Sequence, residues 1–210
     1  VASGRVSKKT AWIWLVSLCL VGLLVLLQLN WQAQVVALAS LALVAAYPFM
    51  KRITWWPQAW LGMVFNWGLL VGWAQTGYAD GLDHLDAIAA LYIGCVTWVI
   101  GYDTIYALQD REDDALVGIR SSALRMGAKV HAGVAAFYAA TIGLWALGIW
   151  LYRPDWIAVL ALLPVGFHLV WQVATLNPED PANPLERFRS NRWAGALMAM
   201  ACFVVGNAYS

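Results

Sequence analysis

"AIAALYIGCVTWVIGYDTIYALQDREDD", residues 87–114, runs an apolar stretch directly into a cluster of acids. The apolar part exceeds strand length, so it reads as a helix. The acids raise the harder question. Carboxylates beside hydrocarbon are costly and need either a water-filled setting or a cationic partner.

The rest of the chain makes hydrocarbon the right comparison. Of 210 residues, 62% are hydrophobic, only 12% are charged and 14 are Trp. Mean hydropathy is +0.64, which places the chain among integral membrane proteins rather than soluble domains. The net charge of +1 supplies no bulk basic field, so nothing argues for nucleic acid as a partner. Cys19, Cys95 and Cys202 fall in separate apolar segments without metal-ligand spacing; they read as small buried apolar residues. No cleavable-signal pattern is present. The opening "VASGRVSKKT", without an initiator Met, reads as a loop cut from a longer chain.

Seven segments are long enough to cross roughly 30 Å of hydrocarbon: residues 10–29, 33–50, 57–77, 85–109, 131–151, 155–175 and 192–209. Backbone groups in lipid must be satisfied internally, and these runs are too long for barrel strands. The expected fold is therefore all-α, a polytopic transmembrane helix bundle. The cations support the count. Arg5, Lys8 and Lys9 precede the first span; Lys51 and Arg52 follow the second; Arg111, Arg120, Arg125 and Lys129 separate the fourth and fifth; Arg187, Arg189 and Arg192 separate the sixth and seventh. Only Arg153 lies on the other side. The positive-inside rule then puts the amino end in the cytoplasm and the carboxyl end outside. Asp80, Asp83 and Asp86 fall in an outer loop, and "NPEDPANPLERFRSN" is a Pro-broken inner one.

If the fourth span stays helical through Asp114, Asp110 lies about 20° short of two turns from Asp103, and Asp114 about 20° beyond three. These three carboxylates share one stripe, with Tyr106 and Asp113 at its edges and Glu112 opposite. Such a stripe repels itself unless a cation sits in it. Mg²⁺ suits it, a hard ion held by one or two carboxylates plus phosphates and waters; the His/Cys set of a zinc site is absent. A solvated acidic loop accounts equally for the charges of DREDD, but not for Asp103 at the membrane boundary. On the same side, "YPFMKR" (residues 47–52) puts Tyr47 and Lys51 four apart on one helix face. Lys51 and Arg52 are explained as topology anchors. Opposite an acid–metal stripe they also supply the point charge and the fork that a diphosphate needs.

"YPFMKR", "YDTIYALQDREDD" and "VGIRSSA", with "SGRVSKKTA" near the start and "WAGALMA" near the end, resemble the UbiA-type intramembrane prenyltransferases. The likeness runs along essentially the whole chain and is strongest to the branch that prenylates 4-hydroxybenzoate for ubiquinone. It implies a nine-helix membrane bundle with two Asp-rich motifs facing each other across a cytoplasm-side cavity. Residues 1–210 would form a single domain comprising helices three to nine, without the first two helices and the first Asp-rich motif. It also implies an enzyme that transfers a polyprenyl group from polyprenyl diphosphate to the ring of 4-hydroxybenzoate with Mg²⁺. Metal ligands would be Asp110 and Asp114 of the second motif, with Asp113 close by. Asp103, Asp110, Asp114, Lys51 and Arg52 would serve catalysis; Tyr47, Lys51, Arg52, Asn66, Tyr106 and Arg120 would contact substrate. The long tail would lie against membrane lipid. Compact loops and the lack of a transit peptide point to a bacterial inner membrane, with the site facing the cytoplasm.

Other residues have plainer explanations. Asn66 is polar at membrane depth and suits an interhelical hydrogen bond as well as a substrate contact. His168 and Gln172, four apart on the sixth span, suit packing. Arg192 is explained by anchoring, although Asn191 and Arg192 open the seventh span on the site's side. The sibling reading within the superfamily takes a naphthoate, homogentisate or haem as acceptor. The competing class is a cation-coupled transporter, which calls for acids near the bilayer midplane and for repeated halves with broken helices. Here the acids gather at one face, and no halves repeat.

Overall fold

The computed structural model describes residues 6–77 and 81–207. Arg5, Asp80 and the last residues of the expected seventh span lie outside them. The described residues contain eleven α-helices, one 3-10 turn and no strand. The protein is an all-α polytopic membrane bundle.

Helix α1 (Lys8–Leu26) starts at Ser7, whose side chain accepts from Thr10 N–H, and α2 (Trp31–Ile53) starts at Asn30, which caps Ala33 N–H. Each cap satisfies a donor that the first helical turn leaves orphaned. No residue of α1 is buried; Trp12 and Trp14 are 67% and 65% exposed. A helix that is apolar all round and buries none of its residues in its own chain belongs in lipid. Cys19 and Cys202 are exposed on such surfaces and Cys95 is half-buried, so the buried setting expected for all three does not hold. Lipid takes the place of a protein core around the first two.

Five stretches are long and apolar enough to cross a membrane: α1, α2, α5 (Leu85–Tyr106), Ser122–Tyr152 and Trp156–Ala174. Ser122–Tyr152 comprises α7 (Ser122–Met126), a 3-10 turn and α8 (Val130–Tyr152); Trp156–Ala174 comprises α9 (Trp156–Leu160) and α10 (Leu163–Ala174). The expected count of seven is therefore not confirmed, and both differences have causes. The third segment splits at Asn66 into α3 (Pro57–Phe65) and α4 (Trp67–Gln75). Asn66 Nδ2 donates back to Gly62 O at 2.8 Å and across to Cys95 O at 3.4 Å, a side-chain competition that interrupts helices. The last helix, α11 (Asn183–Asn207), begins well before the expected residue 192 and takes in Arg187, Arg189 and Arg192. Pro184 does not prevent this, since proline is tolerated in a first helical turn. Its first half is consequently too polar for hydrocarbon.

The core forms where α5 packs against α8, centred on Trp145, Val99, Ile105 and Val134, each fully buried. Small residues permit the approach. A methyl group on Gly94 would stand 2.6 Å from Trp145 Cδ1, and one on Gly148 2.6 Å from Leu91 Cγ and 2.9 Å from the backbone oxygen of Ala87. A buried polar knot fastens α10 and α11 to this pair. Tyr138 Oη donates to Gln172 Oε1 at 2.7 Å, Gln172 Nε2 donates to Asn191 Oδ1 at 3.2 Å, and Trp98 Nε1 donates to the same oxygen at 2.9 Å. His168 Nε2 also meets Ser190 O at 3.1 Å. The packing role expected for His168 and Gln172 is what the structure shows. At the opposite end, Arg153 bonds Asp155 Oδ2 at 2.8 Å and Val205 O at 3.0 Å.

Gly148→Ala is expected to destabilise the protein by about 1–3 kcal/mol, because neither Leu91 nor the Ala87 backbone can give way fully. Gly143→Ala, where the added methyl meets nothing within 4 Å, is expected to be neutral or stabilising by up to about 1 kcal/mol. Thermal unfolding of the two purified variants in detergent measures the contrast.

Candidate functional site

The helix expected to run through Asp114 is broken. α5 ends at Tyr106, Ala107–Asp110 form a turn, and α6 (Arg111–Val117) restarts with Asp110 at its N-cap position. No proline or glycine lies between Tyr106 and Asp114, so local propensity does not dictate the break. Electrostatics favours it. Continued as one helix, the acids would crowd the carbonyl end, where the macrodipole is negative. Restarted, they stand at a positive amino end, with Glu112, Asp113 and Asp114 in the first turn. The short helix closes on Gly118, at φ 73°, a left-handed position that glycine takes without strain.

The stripe survives the break in another form. Asp103, Asp110 and Asp114 line one cavity of about 100 Å³, together with Tyr106, Ala107, Tyr47, Lys51, Pro57, Gln58 and Ser121. That volume is below the roughly 300–1,000 Å³ typical of whole-ligand sites, and suits an anionic head group. Tyr47 and Lys51 arrive from the last turns of α2, held there by the chain that follows the acids. Arg120 N–H donates to Lys51 O at 3.1 Å, and its guanidinium donates to Ile53 O at 2.7 Å while lying 5.5 Å from the Trp55 ring centre. The hydroxyls of Thr104 and Ser122 bond each other, tying α5 to α7.

Among the described residues, the carboxylates of Asp103, Asp110 and Asp114 form no ion pair or hydrogen bond with other side chains. Asp114 is only 8% exposed. Burial pushes its carboxyl above the ordinary 3.8; Lys51 opposes the rise, and Asp110 and Asp113 add to it. Concentrated negative charge with no protein partner is what a cation site requires. The same residues do not form a closed cage, for no group of three metal-ligating side chains among the described residues is tight enough to hold an ion by itself. A cation held here would need further ligands from water or from a bound anion.

Four expected site residues are not in the lining. Asp113 is exposed on α6 and Arg52 at the end of α2, because the neighbouring positions turn inward. Asn66 is spent on the helix break. Arg120 braces Lys51 through backbone contacts. Four lining residues escaped the sequence reading, Pro57, Gln58, Ala107 and Ser121; of these Gln58 and Ser121 are polar, and both are nearly fully buried. Gln58 follows a proline just after "YPFMKR", and Ser121 lies within "VGIRSSA"; their proximity to recognised motifs was the available signal. A larger groove of about 740 Å³ between α8, α9 and α10 is lined by apolar side chains apart from Tyr138, and contains none of the expected residues.

Comparisons with known proteins identify the family. Residues 1–203 match the UbiA prenyltransferase family. The chain is similar to the mitochondrial 4-hydroxybenzoate polyprenyltransferase of Drosophila melanogaster, 43% identical over 94% of this chain and 50% of the relative. It is likewise similar to the mitochondrial proteins of that name from Arabidopsis thaliana, at 41% over 85% of the chain and 43% of the relative, and from Homo sapiens, at 38% over 99% and 55%. The chain thus spans about half the length of the curated relatives it matches. These relatives are mitochondrial, in contrast to the bacterial inner membrane expected from compact loops. No solved structure matches the chain. Matched along almost its entire length, with its acid stripe and its Tyr47–Lys51 pair in one pocket, the chain belongs to the UbiA prenyltransferase family.

Proposed function

We propose that this chain carries the diphosphate-binding part of an enzyme that transfers a polyprenyl group to the ring of 4-hydroxybenzoate in ubiquinone biosynthesis. The observation that carries it is one pocket with Asp103, Asp110 and Asp114 on one wall and Tyr47 and Lys51 on the other. In the reaction, the allylic C–O bond breaks and its electron pair leaves on the diphosphate. The ring carbon beside the phenol oxygen forms the new C–C bond, and that carbon then loses its proton. Lys51 supplies a fixed positive charge against the leaving group. Asp110 and Asp114, with Asp103 deeper, would hold Mg²⁺, which when bound adds Lewis-acid stabilisation of the same charge. Tyr106, which lines the pocket, packs on Phe188, ring centres 4.6 Å apart. The tail would then run along the lipid-facing helices, and the positive-inside pattern puts the pocket on the cytoplasmic or equivalent face.

In a full-length protein containing this chain, Asp110→Ala and Asp114→Ala are each expected to lower prenyl transfer at least about a hundredfold with membrane insertion intact. Labelled 4-hydroxybenzoate and a polyprenyl diphosphate, with and without Mg²⁺, provide the assay; normal turnover in both variants would remove the acids from the mechanism. Lys51→Ala is expected to raise the donor KM roughly tenfold to a hundredfold, the worth of a charge-assisted hydrogen bond, and to leave the acceptor KM unchanged.

The raised Asp114 carboxyl sets a pH dependence. A cation needs the ionised form, so protons compete with it at a higher pH than they would for a carboxyl at the ordinary 3.8. The Mg²⁺ concentration for half-maximal rate is therefore expected to climb as pH falls towards that raised value. By linkage, the cation-free protein favours protonated Asp114 and loses stability as pH rises through the same value. Mg²⁺ titrations at several pH values, repeated on Asp114→Ala, isolate its part.

A further inference from the structure

Gln58 is 3% exposed and lines the acid pocket from the first turn of α3. Its Oε1 accepts from the backbone N–H of Ser122 at 3.4 Å. A backbone N–H can only donate, so the oxygen must be the end turned to Ser122, and the Nε2 end is the one left for the pocket. Among the described residues that nitrogen donates to no protein acceptor, although three carboxylates share the cavity with it. A second feature points the same way. α3 has nine residues, Trp56 at its N-cap provides no side-chain bond, and its first two residues, Pro57 and Gln58, both line the pocket, which puts the helix's positive end at the cavity. The cavity is thus polarised. One wall, α5–α6, is acidic; the other, α3 with Lys51, presents donors and positive charge.

We propose that Gln58 is a substrate-binding residue whose Nε2 donates to an anionic oxygen of the donor's diphosphate, holding it on the Lys51 side of the pocket opposite the acids. This rests on the prenyl-transfer reading of the site. A neutral donor suits that place: it binds an oxyanion and forms no competing ion pair with Asp103, Asp110 or Asp114 in the empty site. The Ser122 contact fixes the carboxamide before the ligand arrives, which lowers the ordering cost of the bond.

The test compares Gln58→Glu with Gln58→Ala in the full-length protein. Gln58→Glu retains an oxygen for Ser122 N–H and replaces only the donor, by an anion. At pH 8 its donor KM is expected to rise at least about tenfold, with acceptor KM and thermal stability unchanged. The deficit should narrow as pH falls, because a protonated glutamic acid donates again; Tyr47, Lys51 and the three aspartates face the same space and are identical in the wild-type control. If Gln58→Glu keeps the wild-type donor KM at every pH while Gln58→Ala loses stability, Gln58 is only a brace for Ser122 and the proposal fails. A rise confined to the acceptor KM would also overturn it, since the oxyanion would then be the benzoate carboxylate. Absence of transfer by the wild-type protein in the same assay would instead overturn the reading of the whole site.

Discussion

Acidic side chains and the carbonyl end of an α-helix repel each other, because the unsatisfied carbonyls there carry the negative end of the macrodipole. The candidate site depends on how this chain resolves that conflict. α5 carries Asp103 to the edge of the apolar layer and stops at Tyr106; the turn over Ala107–Asp110 reverses the dipole that the remaining acids meet. Asp110 and Asp114 therefore sit at a helix amino end, which tolerates them while no cation is bound, and still share one cavity with Asp103. A rigid continuous helix would have lined the three up by periodicity alone, at a higher electrostatic cost and with less freedom to close around an ion.

The segment after α6 explains why the cationic side of the pocket is in place. Arg120 holds the carbonyls of Lys51 and Ile53, Ser122 bonds Thr104, and Gln58 accepts from Ser122 N–H. Two residues of this segment, Arg120 and Ser122, thus join the end of α2, the end of α5 and the start of α3. The two Ser122 bonds use groups whose burial would otherwise cost free energy. On the proposed reading, the loop following the acid motif positions every other component of the diphosphate site, and a change in its backbone would be felt at Lys51, Asp103 and Gln58 together.

Deeper in the bundle, stability comes from close approach and from polar satisfaction. Lipid is as apolar as leucine, so burial of aliphatic surface gives helices little reason to choose one another. The glycine-mediated contact of α5 with α8 supplies dispersion at short range. The Tyr138–Gln172–Asn191–Trp98 knot supplies specificity, since an unsatisfied amide in that setting is expensive and the observed register of α8, α10 and α11 on α5 joins all four groups.

The sequence by itself determined the class of the molecule and the composition of its site. Long apolar runs require helices where no water can pair the backbone, and the recognisable acid and Tyr47–Lys51 motifs pointed to the chemistry proposed for it. Asp103, Asp110, Asp114, Tyr47, Lys51 and Tyr106 were all legible, and all line the pocket. Helix continuity was not. The breaks at Asn66 and after Tyr106 depend on a side chain reaching Cys95 O and on long-range electrostatics, neither visible in an apolar periodicity. The early start of α11 at Asn183 was masked by prolines that a first turn accommodates. Nor could spacing separate Asp114 from its neighbour Asp113, or reveal that Arg120 serves the backbone and Gln58 the cavity. Those assignments turn on which of several polar groups finds a buried partner, and only the packed chain decides that.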